Sequence, residues 1–127
     1  MKRVLILITA VLLGSCVTDL PEMANENQTN LLKLQLGMPK AAVVQLMGNR
    51  TATTPDGPVG NPFRTETFQN TGGTNFEVLY YITERHRRFQ PVRLRQATPV
   101  VFRDGLLIGW GNDALRQART AESPRGR

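Results

Sequence analysis

The side chains able to do chemistry in this sequence are few and unevenly placed. Cys16 is its one cysteine, His86 its one histidine, and five arginines crowd into the stretch "TERHRRFQPVRLRQ". A cysteine thiolate is a nucleophile or an acyl acceptor. His86 stands between Arg85 and Arg87, whose charges disfavour both its protonated form and a bound cation. No second histidine or cysteine is present to complete a zinc tetrahedron with it, so it reads as a solvated loop residue. Serine chemistry is no better supplied, because Ser15 lies in the N-terminal apolar stretch and Ser123 in a polar tail. The carboxylates Asp56, Glu66, Glu77, Glu84, Asp104 and Asp113 are scattered without a paired spacing. Gly72-Gly73 is not followed by the Lys-Ser or Lys-Thr of a phosphate loop. No enzymatic activity, metal or cofactor is expected from this set. The arginines offer more, since the planar guanidinium binds phosphate and carboxylate through two hydrogen bonds. Arg85, Arg87, Arg88, Arg93 and Arg95, with Phe89 among them, could meet anionic lipid headgroups or a partner protein. The same composition also suits a solvated connection kept soluble by its charge.

What positions Cys16 is the apolar stretch before it. Met1-Lys2-Arg3 is followed by an uncharged run from Val4 to Leu13 and then by the small residues Gly14 and Ser15. A membrane span needs about 20 apolar residues, so this shorter run with its basic start reads as a secretory leader over residues 1–15. A lone cysteine in an exported chain has no internal disulfide partner and is left for modification or an intermolecular bond. Leu13-Gly14-Ser15-Cys16 resembles the lipobox of bacterial lipoproteins. The resemblance implies cleavage before Cys16, a diacylglycerol on its thiol and an acyl chain on its new amino group. Each buried CH₂ contributes ~0.8 kcal/mol, so one chain holds weakly and several hold firmly. Val17 is not acidic, which in such lipoproteins implies sorting to the outer membrane, on its periplasmic side. Loss of Lys2 and Arg3 lowers the formal charge of +6 by two and leaves the chain basic. Nucleic acid is not an expected partner for an exported, lipid-anchored domain.

The elements beyond Cys16 follow from pattern. Residues 16–29, polar and aperiodic, read as a flexible tether. Residues 30–115 form the folded domain, and residues 116–127 a disordered tail. A short helix is expected near residues 30–36, ended by Gly37. A second spans residues 39–48, where Pro39 suits a helix start, Gly48 a helix stop, and Val43, Leu46 and Met47 share a face. Residues 49–62 are rich in Thr, Pro, Gly and Asn and read as a loop. A weak strand covers residues 63–68. A strong one lies in "FEVLYYITE", where Phe76, Val78, Tyr80 and Ile82 alternate with Glu77, Leu79, Tyr81 and Thr83; the even face is the expected core face. "TPVVFRDGLLIGW" is a hairpin about Asp104-Gly105, a dipeptide that accepts positive φ. Leu106, Ile108 and Trp110 share strand parity and are expected to pack in the core. The fold class is α+β: two short N-terminal helices packed on one face of a three- or four-stranded antiparallel sheet.

The stretch "LLKLQLGMPKAAVVQLMGNR" resembles the helical half of the BamE (SmpA/OmlA) lipoproteins in Leu31, Leu34, Leu36, Gly37, Met38, Val43, Leu46 and Gly48. It departs from them at Pro39, where Ser or Thr is usual, and at Asn49-Arg50. "FEVLYYITERH" and "TPVVFRDGLLIGWG" are similar to a group of bacterial lipoproteins without assigned activity. The resemblance implies a membrane-anchored, periplasm-facing accessory module that binds another protein in outer-membrane or envelope assembly. The alternative from another class is a ligand-binding or inhibitory module with a fold like that of the β-lactamase inhibitor protein, using the sheet face or residues 49–62.

Overall fold

The computed structural model describes residues 18–84 and 90–120. Residues 1–17, with the expected leader and Cys16, residues 85–89 and residues 121–127 lie outside the described residues. The elements run β1 (Thr18–Asp19), α1 (Leu20–Leu31), α2 (Lys40–Met47), β2 (Ala52–Thr54), β3 (Gly57–Val59), β4 (Arg64–Gln69), β5 (Asn75–Ile82), a 3-10 turn (Leu94–Gln96), β6 (Ala97–Arg103), β7 (Leu106–Trp110) and α3 (Asn112–Thr120). β4-β5-β6-β7 form a four-stranded sheet with every neighbour antiparallel. β1-β2-β3 form a small second sheet in which β1 runs parallel to β2. The class is α+β.

The large sheet is a middle layer. On one face Phe76, Val78, Tyr80 and Ile82 of β5 pack with Leu20, Met23 and Ala24 of α1, Ala52 and Val59 of the small sheet, and Ala118 of α3. On the other, Leu79 and Tyr81 pack with Leu31, Leu34, and Val43 and Met47 of α2. Both parities of β5 are therefore core, where only the even one was expected. A strand buried on both faces reads as a continuous apolar run, and "VLYYI" is one. Each large side chain so buried stabilises the fold by roughly 1.5–3 kcal/mol.

The β6–β7 hairpin turns where expected: Asp104 has φ +51° and Gly105 φ +74°, the left-handed pair of a tight two-residue turn. β7 departs from simple alternation. Val101 lies opposite Gly109 but Phe102 opposite Leu107, so Ile108 is an extra residue in a bulge. The bulge sets Leu107 and Trp110 on the α2 face and Ile108 on the other, and leaves Leu106 47% exposed. The expected shared parity of Leu106, Ile108 and Trp110 is thus broken. Gly109 lies under α3, where an added Cβ would sit 2.9 Å from the Ala114 methyl.

Four expectations are corrected. Residues 18–29 of the expected tether belong to β1 and α1, which runs on to Leu31. Leu20, Met23, Ala24, Asn27 and Leu31 recur at helical spacing and are buried, a stripe concealed by one polar member. Pro21 suits the first turn, where its missing N–H costs nothing. The helix expected near residues 30–36 is the end of α1 and a turn that buries Leu34. Residues 49–62 are not all loop: Ala52 pairs with Val59 in the β2–β3 hairpin. Within the expected tail, residues 116–120 complete α3, because Ala118 is small enough to lie against the sheet.

Candidate interaction surfaces

α1 crosses the end of the large sheet at which β5 stops, and a buried amide pair fixes it there. Asn27 donates to Asn61 Oδ1 (2.9 Å) and to the Ile82 carbonyl (2.8 Å). Asn61 donates in return to Asn27 Oδ1 (3.0 Å) and to the Met47 carbonyl at the end of α2 (3.1 Å). Gln28 donates to the Thr83 carbonyl beside them. Buried amides stay stable only when so matched. Thr18, the first described residue, pairs at this end with Ala52, two residues from Arg50, which is bound to Glu26 of α1 at 2.5 Å.

The arginine segment springs from the same end. The N–H groups of Thr83 (2.9 Å) and Glu84 (3.1 Å) both donate to the Gln96 carbonyl, closing the base of the excursion between them. Arg93 and Arg95 are exposed on its returning limb, which is held by the Arg93 N–H on Gln96 Oε1 at 2.8 Å. Cys16, Arg85, Arg87, Arg88 and Phe89 lie outside the described residues, so of the expected contact residues the structure places only Arg93 and Arg95, both exposed.

A clasp that pattern reading missed joins α3 to the sheet. Glu66 accepts from the Tyr80 hydroxyl at 2.7 Å and from Arg119 at 2.8 Å. The guanidinium also lies 4.5 Å from the centre of the Phe68 ring, which stacks on Phe76 at 5.3 Å. The Tyr80 hydrogen bond and then the Arg119 one hold the Glu66 carboxyl below its ordinary range, while burial and that same bond raise the Tyr80 phenol. The signal available in sequence was weak, since Glu66, Tyr80 and Arg119 become neighbours only through strand pairing and the return of α3. Among the described residues no group of three or more His, Cys, Asp or Glu lies close enough to hold a metal, and no helix is long and apolar enough to cross a membrane.

At the opposite end the α1–α2 link lies along β7. The Gly37 N–H donates to the Leu107 carbonyl (2.8 Å), the Leu107 N–H to Met38 (2.8 Å) and the Lys40 N–H to Gly105 (2.9 Å). This leaves Leu36 69% exposed and, through the Pro39–Leu106 bridge, Leu106 half exposed beside it. Leu32, at the end of α1, is 86% exposed.

Residues 16–117, from the candidate lipid site through most of α3, match the family described as "Protein of unknown function (DUF3192)". The chain belongs to that family. No curated protein and no solved structure matches it. The family span includes α1 and the small sheet, so the described fold is the family unit seen almost whole.

Proposed function

We propose that this protein is a lipid-anchored accessory module of the outer membrane that faces the periplasm and binds another envelope protein during assembly. One observation carries the reading: Thr18, two residues after Cys16, is paired in the small sheet at the end that also bears Arg50 and the base of the arginine segment. An acylated Cys16 would hold that end close to the bilayer, with Arg93 and Arg95, and in sequence Arg85, Arg87, Arg88 and Phe89, available to anionic headgroups. Each basic residue near such a surface adds about 1 kcal/mol. Leu36 and Leu106 then face away from the membrane, where exposed apolar side chains suit a protein contact. The family span that begins at Cys16 and the BamE-like helical half support the same assignment.

Fractionation tests the anchor. Wild type is expected in the membrane fraction with acylated Cys16 as its first residue by mass spectrometry, and Cys16→Ser in the soluble fraction. An unmodified thiol on membrane-isolated protein would sink the anchor. The role in assembly is tested by crosslinking in intact cells; if no outer-membrane assembly subunit is recovered, that role falls. For the arginines, the Cys16→Ser chain should bind anionic vesicles at low salt and neutral ones little, the binding weakening as salt screens exposed charge beyond about 8 Å.

A further inference from the structure

The two edges of the large sheet are treated differently. β7 is covered by the 37–40 segment, which bonds to its backbone at Leu107 twice and to the turn residue Gly105 just before it. β4 pairs with β5 alone among the described residues. The phase of its ladder follows from one bond: the Asn70 N–H donates to the Thr74 carbonyl at 2.9 Å. In an antiparallel pair the bonded positions alternate, so the even residues Glu66 and Phe68 bond to β5, and Thr65, Thr67 and Gln69 turn N–H and C=O outward. The side chains of these three are also exposed.

Edge strands in folded proteins are guarded by prolines, bulges, short length or free charges. β4 has no proline, and its register with β5 is unbroken from Arg64↔Tyr80 to Gln69↔Asn75. Of its two charges, Glu66 is occupied by Tyr80 and Arg119 on one face, and only Arg64, at its first residue, is left free to guard it. Along the other face runs an open groove of about 640 Å³ lined in part by Lys40, Thr67, Gln69 and Glu77. A row of outward N–H and C=O groups is complementary to one kind of ligand, an extended backbone.

We propose that β4 receives an extended segment of the partner protein as a fifth, antiparallel strand, with a carboxylate of that segment opposite Arg64. Arg64 is exposed and makes no ion pair among the described residues, acting on Glu66 only as the weakest of the charges near it, so the charge complementarity lies with an acidic partner. A second copy fits less well. Of the two longest self-pairing registers, one sets Glu66 against Glu66 and the other sets Glu66 against Phe68, and neither gives Arg64 an anion. Hydroxyl or β-branched side chains of the incoming strand lie against Thr65, and against Thr67 and Gln69 where these line the groove. The inference rests on the protein-binding reading above and names the form in which the partner is bound.

The test uses the full chain in detergent micelles and a synthetic probe, acetyl-Thr-Val-Thr-Val-Thr-Asp-amide, whose aspartate falls opposite Arg64 in the antiparallel register. Amide exchange followed by NMR is expected to slow by roughly tenfold or more at Thr65, Thr67 and Gln69 when the probe binds, and not at the far edge on β7. The backbone-N-methylated probe and a probe ending in lysine should give no protection. Thr67→Pro should abolish it while keeping the fold, since an outward N–H is the one an edge strand can lose; Thr67→Val, which keeps the N–H, should retain it. If Thr67→Pro fails to fold, the two control probes still decide. No protection by the aspartate probe overturns the proposal, and so does protection that appears without probe as protein concentration rises, which would assign the edge to a second copy. Probe binding with no envelope partner in cells would spare this inference and sink the assembly role instead.

Discussion

Tyr80 and Tyr81 are consecutive on β5, are almost fully buried, and meet opposite conditions. Tyr80 points to the face covered by α3, where Glu66 takes its hydroxyl. Tyr81 points to the face covered by α2, among Val43, Met47, Phe102 and Leu107, and its hydroxyl has no hydrogen-bond partner among the described residues. Burial alone pushes the Tyr81 phenol up to about 12. One face of the sheet is thus held by packing with a small polar defect, the other by packing with a polar clasp near its rim. The difference shows what each helix is for: α2 closes a dry core, and α3 is a lid locked at its far end.

The comparison can be broken most forcefully on the dry face. Leu107→Ala, at a site 2% exposed, is expected to cost about 2–5 kcal/mol in denaturant unfolding, the usual range for a core leucine. A loss near zero would mean that α2 does not form a close-packed layer. Under α3, Gly109→Ala should cost about 1–3 kcal/mol, because the new methyl meets Ala114 at 2.9 Å. A combined Gly109→Ala, Ala114→Gly variant should recover much of that loss if the contact is its cause.

Tyr81→Phe sharpens the contrast in the other direction. Removing an unmatched buried hydroxyl is expected to stabilise the fold by about 1 kcal/mol at neutral pH, since a stranded polar group costs ~1–3 kcal/mol. The pH dependence has a definite sign. An unfolded tyrosine ionises near 10 and the folded Tyr81 near 12, so its raised value supplies stability that is complete below the unfolded value and is lost as pH rises through the folded one. The advantage of the phenylalanine variant should therefore widen in that alkaline window. A wild-type melting profile that stays flat there would contradict the burial of Tyr81.

The smallest effect is expected at the clasp. Arg119 is 44% exposed in its bond to Glu66, and screening by water holds such pairs below about 1 kcal/mol. Arg119→Gln should lower the melting temperature slightly at neutral pH. Glu66 has a depressed carboxyl, so its contribution is present above the unfolded carboxylate range and lost as pH falls through the folded value. The difference between variant and wild type should accordingly vanish in acid.

Much of the scaffold was legible from residue order. The alternation of β5, the Asp104-Gly105 turn and the helix between Pro39 and Gly48 each depend on φ preference or periodicity within one short segment. The candidate surfaces were less so. The arginine cluster and Cys16 stand out as residue types, whereas the Glu66 clasp and the unguarded edge of β4 are products of pairing. α1 was missed for a related reason: Asn27 on its buried stripe reads as a surface residue until Asn61, thirty-four residues on, matches its amide.

The sequence by itself determined the local conformations of this protein, the basic segment and the lone cysteine, because backbone preference and side-chain chemistry are carried residue by residue. Only the tertiary structure decided which tyrosine finds a partner, which face α3 covers, which sheet edge is left open, and that Thr18 lies at the same end as the base of the arginine segment. Those outcomes depend on contacts between residues far apart in the chain, and their free energy exists only once the sheet has brought the partners within hydrogen-bonding distance.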